Sequence, residues 1–401
     1  MLSLSGTASV SVLSDLATTR NSPSDNSTAF RQADPRVLPG IDVLLGDSIH
    51  LVQGERVGLL TNQSGVDARG VSTIDRLAHA PGVRLVALFA PEHGLRGTAA
   101  PGEPVADTVD AATGLPIYSL YGASRAPTPA QLAALDVLVV DLQDVGARPW
   151  TYVSTTILAM RAAAAAGRRV VVLDRPNPIG CAVQGPLLDT TYASFIGMLP
   201  VPLRHGLTLG ELARLANARL AIGADLVVVP VRGWRRCDWF DRTGLPWVRP
   251  SPNLPDLASV AWYPGTVLFE ATNLSVGRGT DAPFRQVGAP WLDAARVAAE
   301  MARRWHVVLD TVRFTPRSPG DGKFDGVEVP GVRFRAADRG RGDPVRDALR
   351  LLATIRALQP GALEVDSVGL ARRLGTRLAS AVAWPRDLQR FMTRRRPYLL
   401  Y

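Results

Sequence analysis

The chain has 401 residues, 46% of them hydrophobic, which is enough for one large domain or two ordinary domains with a sizeable core. Its net charge of +9 comes almost entirely from arginine, but these arginines are scattered and form neither a basic arm nor a basic stripe along one helix. This distribution argues against nucleic-acid binding and suits a solvated surface or an acidic substrate. No apolar stretch is long enough to predict a transmembrane helix.

The two cysteines, Cys181 and Cys237, are too few to build a disulfide framework, so they do not report the redox compartment. They could pair or stay free, and we expect two free, buried structural thiols.

The first part of the chain, residues 1–37, is rich in serine, threonine and asparagine. It lacks the basic n-region and the strong apolar core of a signal peptide. We interpret it as a disordered leader or as the remnant of a misassigned start, and it leaves the localisation of the protein open.

Short apolar strands alternate with helical segments from Gly40 onward. The predicted strands are Arg56–Asn62, Arg84–Ala90, Ala134–Asp141, Arg168–Asp174 and Leu226–Val231, and the predicted helices are Val71–His79, Thr155–Ala166 and Thr208–Leu220. This alternation predicts a parallel sheet with helices on both faces.

The pattern becomes less regular after Gly233. Prolines punctuate a tryptophan-rich stretch over residues 246–264, which we expect to be a long loop. A second set of elements follows: a helix over Trp291–Trp305, strands over His306–Phe314 and Val327–Ala336, and a helix over Pro344–Leu358. We therefore expect an α/β domain over residues 38–232 and a smaller α/β domain over residues 233–401.

Polar residues follow four successive predicted strands, at the point where each strand ends. They are Asn62 and Gln63, then Glu92 and His93 with Arg96 close by, then Asp141 and Asp144, and finally Asp174 and Asn177. Ligands of open parallel sheets bind outside the carboxyl ends of the strands. Each residue alone could be a helix cap or an ion-pair partner, but four such sets predict a site at this edge.

Other catalytic signatures are missing from the sequence. The segment after the first strand, Thr61–Gly65, is neither a dinucleotide fingerprint nor a P-loop, and there is no His-Glu-x-x-His motif or nucleophile elbow. His93 and His205 match no metal-ligand spacing with the aspartates, so we expect no metal.

Ten short motifs follow one another from about residue 40 to the C-terminus: Gly58–Gly65, Phe89–Gly97, Gly114–Gly122, Asp141–Gly146, Leu173–Gly180, Arg204–Gly206, Pro250–Asn253, Tyr263–Thr266, Thr272–Thr280 and Tyr398–Tyr401. Together they resemble the peptidoglycan exo-β-N-acetylmuramidases of the NamZ type, a family long catalogued as a domain of unknown function. The sequence departs from the pattern at Pro149-Trp150, where we expect Phe-Tyr, and at Ala271, where we expect glycine.

The resemblance implies a Rossmann-like catalytic domain joined to a smaller α/β domain, with the active site in the cleft between them. The implied activity is the release of terminal N-acetylmuramic acid from the non-reducing ends of peptidoglycan fragments, without a cofactor. It also implies an extracytoplasmic or cell-wall location. The alternatives are a metal- or cofactor-dependent hydrolase and a non-catalytic cell-wall saccharide-binding protein, and the sequence does not give the oligomeric state.

Hydrolysis of a glycosidic bond needs a proton donor at the leaving oxygen and a second group on the other face of the sugar. Glu92 is the candidate general acid, next to His93. Asp141, Asp144 and Glu270 are candidates for the second function, and the acetamido oxygen of the substrate is a further one.

N-acetylmuramic acid carries a lactyl carboxylate, which a guanidinium recognises in a two-pronged fork. Arg278, flanked by Gly277 and Gly279, is the candidate reader, and Arg204, next to His205, is its rival. Either arginine could instead tie the domains together. The full predicted substrate-binding set is Asn62, Gln63, Arg96, Asp174, Asn177, Arg204, His205, Asn273 and Arg278. Trp239, Trp247 and Trp262 could stack on a sugar or pack in the core.

Overall fold

The computed structural model describes residues 37–99, 102–378 and 384–401, so the predicted leader lies outside the described residues except for Val37. The helices are α1 Gly40–Asp47, α2 Thr73–Ala78, α3 Pro129–Ala133, α4 Thr151–Ala165, α5 Leu209–Arg219, α6 Leu257–Thr266, α7 Ala294–Trp305, α8 Pro344–Leu358, α9 Ser367–Leu374 and α10 Trp384–Arg394. The strands are β1 Arg56–Thr61, β2 Arg84–Ala90, β3 Thr108–Val109, β4 Pro116–Ser119, β5 Val137–Asp141, β6 Arg169–Leu173, β7 Gln184–Leu187, β8 Pro202–Arg204, β9 Leu226–Val229, β10 Gln286–Gly288, β11 Leu309–Phe314 and β12 Val329–Phe334.

A seven-stranded sheet forms the centre of the first region, in the order β3-β4-β2-β1-β5-β6-β9. All neighbours are parallel except β3, which runs antiparallel to β4. Counted along the chain, the six parallel strands lie in the order 3-2-1-4-5-6, which is that of the doubly wound Rossmann sheet. All five predicted strands are confirmed, and the two strands of this sheet that the prediction missed are β3 and β4.

The two faces of this sheet bury alternate side chains of the same strands. Val140 of β5 packs into a core with α4 and α5, whereas Val139 packs into a second core with α1 and α2. A sheet covered on both faces needs strands that are apolar throughout, which is why β5 reads VLVVD and is buried at every position.

The second region contains a three-stranded antiparallel sheet, β10-β12-β11, covered by α7, and α8 packs against α7 and α6. Its two predicted helices and two predicted strands are all present. The apolar core under α4 and α5 continues into this region through Phe284, Val332 and Leu351. The parallel sheet and the smaller sheet therefore share one core. No helix among the described residues is long and apolar enough to span a bilayer.

The prediction of a loop over residues 246–264 is wrong in its second half, because α6 begins at Leu257. Asp256 caps this helix by accepting a hydrogen bond from Ser259 N at 2.7 Å. Pro264 lies inside the helix, where it removes its own backbone N–H bond, and α6 ends two residues later with a 3₁₀ segment following.

The expectation of two free, buried thiols is also wrong. Cys181 and Cys237 form a disulfide with a Cα separation of 4.6 Å, Cys181 is half-buried and Cys237 is exposed. The loop after β6 and the loop after Gly233 run side by side, as the bond from Phe240 N to Pro178 O at 3.0 Å shows. This juxtaposition depends on the tertiary fold and cannot be read from the cysteine spacing.

The C-terminal residues of the chain dock on the parallel sheet. The Tyr401 hydroxyl donates to Asp174 Oδ2 at 2.7 Å and accepts a hydrogen bond from Val231 N at 2.8 Å. Thr208 Oγ1 and Gly210 N also donate to Asp174. Burial raises the pKa of Asp174 to about 6 despite these donors. Asp174 therefore acts as an internal anchor in this fold.

Candidate active site

A cavity with a volume of about 300 Å³ opens above the carboxyl ends of β2 and β4 and is walled on its other side by the second region. Its polar lining comes from both regions and comprises Glu92, His93, Tyr121, Thr151, Ser251, Asn253, Tyr263, Glu270, Arg278, Asp321 and Arg373. Of the predicted catalytic residues, the structure brings Glu92, His93 and Glu270 together here, and Arg278 joins them.

Glu92 follows β2 and is held by neutral donors. Thr151 Oγ1, in the first turn of α4, donates to Glu92 Oε2 at 2.6 Å, and Gly102 N donates to Oε1 at 3.1 Å. The Tyr121 hydroxyl is a third partner, and burial together with the charge of Glu92 raises the pKa of Tyr121 to about 12. These contacts fix the carboxyl orientation, while the side chain stays half-buried at the cavity wall.

His93 has an unusual backbone conformation, with a φ of 72°. Few residues other than glycine adopt this region, and the tight turn places the imidazole in the wall, 4% exposed. His93 Nδ1 lies 2.9 Å from Ala99 O, which can only accept, so Nδ1 carries the proton in the neutral ring and Nε2 is the acceptor. Burial lowers the pKa of His93 below 6.5, Glu92 opposes this and Arg278 reinforces it.

Glu270 faces two arginines in the second region. Arg278 Nε donates to Glu270 Oε1 at 3.0 Å and Arg278 Nη2 binds the same oxygen, while Arg373 Nη2 lies 3.4 Å from Oε2. Burial alone would raise the pKa of Glu270, but Arg278 and Arg373 bring it below its usual value. Glu270 is therefore a carboxylate that stays ionised.

Lys323 binds the backbone of the segment that carries Glu270. Its Nζ donates to the carbonyl oxygens of Glu270, Thr272 and Leu274 at 3.1, 2.7 and 3.1 Å. Burial lowers the pKa of Lys323, and the nearby acids oppose that shift. These carbonyl oxygens bind a lysine side chain where a strand would bind a neighbouring backbone. Lys323 thereby fixes the loop from which Glu270 and Arg278 reach the cavity.

Models of two protein-domain families match most of the chain, from residue 57 to residue 401. The N-terminal model of the exo-beta-N-acetylmuramidase NamZ matches residues 57–258, and the C-terminal model of the same enzyme matches residues 261–401. The chain belongs to the NamZ family. The two matches meet at residues 258–261, whereas our boundary at residues 232–233 stays a prediction.

Relatives of the NamZ family agree with this assignment. The peptidoglycan beta-N-acetylmuramidase NamZ of Bacillus subtilis is 41% identical over 392 residues, covering 94% of each chain. A crystal structure of a DUF1343 family protein from Bacteroides fragilis is 34% identical, covers 91% of this chain and 99% of that one, and superposes with a TM-score of 0.83. A second DUF1343 family protein from the same organism is 31% identical with a TM-score of 0.70 and the same coverage.

Several predicted site residues of this NamZ-family chain lie in its interior, away from the cavity. Asp141 is fully buried and accepts from Arg175 Nη2 at 2.8 Å and from the Thr73 hydroxyl. Asp144 Oδ1 lies 3.4 Å from His205 Nε2 and accepts from Gly146 N at 2.6 Å. These contacts favour structural roles for both aspartates and for His205.

The same holds for the residues after β6 and around β8. Asn177 donates to Leu207 O at 2.9 Å, and Arg204 donates to Gln184 Oε1 at 3.0 Å. Burial lowers the pKa of Arg204 to about 10. Asp174 is likewise bound to Tyr401. The polar side chains after β6 and around β8 are therefore occupied by partners within the protein and do not line the cavity.

Three further predicted residues organise loops. Arg96, which is largely exposed, binds Asp110 Oδ1 at 2.6 Å. Asn273 donates to Ala362 O at 2.9 Å and accepts from Glu364 N at 3.1 Å. Gln63 donates to Arg249 O at 3.0 Å.

The end of β1 reaches the cavity only through the loop over residues 249–255. Asn62 Nδ2 donates to the Tyr152 hydroxyl at 2.7 Å, and that hydroxyl donates to Pro250 O at 2.8 Å. Gly97, with a φ of 68°, lets the Glu92 loop pass Gln63, since a Cβ there would come within 2.2 Å of the Gln63 side chain. Asn62 and Gln63 thus position the loop that carries Ser251 and Asn253.

Sequence reasoning missed several lining residues. Tyr121, Asn253 and Tyr263 lie inside the quoted motifs, but an aromatic or an amide near a strand end is as typical of packing as of binding. Arg373 lies on α9, outside every motif, and the sequence offers no signal for it. The departure at Pro149-Trp150 lies in the cavity wall itself, where Pro149 O accepts from the Tyr263 hydroxyl at 2.7 Å.

The three tryptophans proposed for stacking pack against protein. Trp262 stacks on Phe334 with centroids 4.3 Å apart, and Trp247 meets Phe240 edge to face at 4.9 Å. Trp239 is 8% exposed and lies in the shared core. The core alternative is therefore the one that the described residues support.

Proposed function

We propose that the chain is a glycoside hydrolase that releases terminal β-linked N-acetylmuramic acid from the non-reducing ends of peptidoglycan fragments. The observation that carries the proposal is the cavity, where Glu92 on one wall faces the ionised Glu270 and its two arginines. Membership of the NamZ family and the 41% identity to the peptidoglycan beta-N-acetylmuramidase of Bacillus subtilis support it.

Glu92 is the proposed general acid. A group that protonates the leaving oxygen must keep one orientation through the reaction, and Thr151 and Tyr121 hold the Glu92 carboxyl from two sides. The proton moves from Glu92 to the glycosidic oxygen as the bond from the anomeric carbon breaks. Water then adds to the anomeric carbon and loses a proton, which returns to Glu92 and regenerates the acid.

Glu270 is the proposed second carboxylate, since Asp141 and Asp144 are occupied in the interior. The transition state of glycoside hydrolysis resembles an oxocarbenium ion and gains stability from a nearby fixed negative charge. Glu270 supplies that charge because its arginine partners keep it ionised. His93, neutral and with Nε2 as acceptor, is positioned to bind a water or a sugar hydroxyl.

Arg278 is the proposed reader of the lactyl carboxylate. A guanidinium has five N–H donors, and Arg278 uses its Nε and Nη2 on Glu270, so donors on Nη1 remain for the substrate. The rival Arg204 binds Ile179 O and Gln184 inside the fold. The interior contacts of Arg204 favour Arg278.

The test is hydrolysis of a chromogenic β-N-acetylmuramic acid glycoside next to the matching β-N-acetylglucosamine glycoside. We expect the purified protein to cleave the first and to leave the second nearly untouched. Cleavage of neither compound, together with binding of peptidoglycan fragments, would favour a saccharide-binding protein. Equal cleavage of both would mean that the protein does not recognise the lactyl group.

A further inference from the structure

A second hollow adjoins the catalytic cavity. It has a volume of about 440 Å³. Asn253 and Gly320 line both spaces, so the two form one continuous groove. The side-chain amide of Asn253 has no hydrogen-bond partner among residues 37–99, 102–378 and 384–401, and it lies where the spaces meet.

The walls of this hollow are stiff. Four prolines line it: Pro252, Pro255, Pro283 and Pro319. Gly279, with a φ of 73°, lets two loops meet closely, since a Cβ there would lie 2.3 Å from Arg317 O. A preformed groove loses little conformational entropy on binding. The hydroxyls of Thr98 and Ser318 are exposed on its surface, as suits a carbohydrate.

One cation projects into the hollow. The backbone of Arg249 is fixed by Gln63, and that of Pro250 by Tyr152. The guanidinium of Arg249 is exposed and has no ion pair or hydrogen bond within the part of the chain that the structure describes. The acid across the hollow, Asp281, already lies 3.7 Å from Arg333. The charge available to a ligand is therefore positive.

We propose that this hollow binds the saccharide on the leaving side of the scissile bond, and that Arg249 binds the lactyl carboxylate of the next muramic acid along the glycan. The proposal rests on the proposed function. With a terminal muramic acid in the catalytic cavity, the alternating glycan of peptidoglycan places one N-acetylglucosamine and then a second muramic acid beyond the bond. The second carboxylate is the anionic group that an unpaired arginine would recognise.

The test compares two trisaccharides that differ only in the third sugar. Both begin with muramic acid and N-acetylglucosamine, and the third sugar is muramic acid in one and N-acetylglucosamine in the other. We expect the wild type to prefer the first in kcat/KM by about two- to fivefold, the range of an exposed ion pair. Arg249→Ala should abolish this preference. Arg249→Glu should change the ratio of kcat/KM by roughly tenfold, so that the trisaccharide ending in N-acetylglucosamine is preferred, because like charges then meet on the other one. High salt should shrink the wild-type preference.

Arg84→Ala is the matched control, because Arg84 is exposed and begins β2, at the edge of the sheet opposite the site. It should keep the wild-type ratio. A ratio near one in the wild type, or a ratio unchanged in Arg249→Glu, would overturn the subsite. If the wild type cleaves neither the trisaccharides nor the chromogenic muramic glycoside, the proposed function itself fails.

Discussion

The two walls of the cavity are built from different chemistry. On the side of the parallel sheet, Glu92 is held by a threonine hydroxyl, a tyrosine hydroxyl and a backbone amide. On the side of the smaller sheet, Glu270 is held by Arg278 and Arg373. The first carboxyl has uncharged partners, whereas the second has two cationic partners that keep it an anion. This contrast is the reason to propose Glu92 as the proton donor and Glu270 as the fixed negative charge.

The largest expected effect is on turnover, when Glu92 on the wall formed by the parallel sheet is replaced. Glu92→Gln should keep the fold and lower kcat by about 10²–10⁴-fold, the usual contribution of a general acid. Turnover of the muramic glycoside and the melting temperature are the measurements. A loss below about tenfold at an unchanged melting temperature would assign the proton donor elsewhere.

Arg278, on the wall formed by the second region, should determine the preference for muramic acid over glucosamine. Breaking a buried charge pair on one side typically costs about 3–5 kcal/mol, so Arg278→Ala should lower the muramic-to-glucosamine ratio of kcat/KM by about 150- to 4,000-fold. Arg373→Ala is the comparison, since Arg373 lies farther from Glu270. If both activities fall while their ratio stays put, Arg278 holds the cleft together.

A stability change away from both walls should leave catalysis alone. The disulfide Cys181–Cys237 closes a loop with a sequence separation of 56, for which chain entropy predicts about 2–4 kcal/mol of stabilisation. The double variant Cys181→Ser/Cys237→Ser should unfold at lower denaturant with kcat unchanged. A large loss of kcat in this variant would mean that the crosslink shapes the cavity.

The pH profile should report His93. Its pKa is lowered from 6.5, so the native ring is neutral at pH 7 and is protonated only as the pH falls below 6.5. Native stability should decline in that range, because the unfolded chain binds the proton first. The value of kcat/KM should fall at still lower pH, as the native His93 ring is protonated and loses its Nε2 acceptor. His93→Asn keeps a donor for Ala99 O and tolerates a positive φ. This variant should lose the low-pH limb assigned to His93, and an unchanged limb would point to another group.

The smallest expected effect is that of a chelator. Prolonged EDTA treatment should leave turnover unchanged, since both carboxyls have protein partners. If activity disappears and one added divalent ion restores it, catalysis depends on a metal ion bound between the two walls of the cavity, and the roles of Glu92 and Glu270 would have to be reassigned.

The strands of the parallel sheet could be predicted from the sequence, because apolar runs have a direct physical cause, and the strand-end polar residues predicted a site at the carboxyl edge, where the cavity lies. Glu92 and Asp141 share that signature and yet differ in fate. β2 and β5 both flank β1 in the sheet, but Asp141 at the end of β5 is paired with Arg175, whereas Glu92 after β2 lies beside the open cavity. Neither the covering loops nor the approach of Arg373 from α9 leaves a local trace in the sequence.

The loop over residues 249–255 is anchored through carbonyl oxygens of its backbone, those of Arg249 and Pro250. Any residue at position 249 offers the same carbonyl to Gln63. Evolution can therefore exchange the side chain that faces the leaving side of the glycan without loosening the loop or disturbing Glu92. The same freedom makes position 249 the first site to randomise when the enzyme is engineered for glycans of different charge.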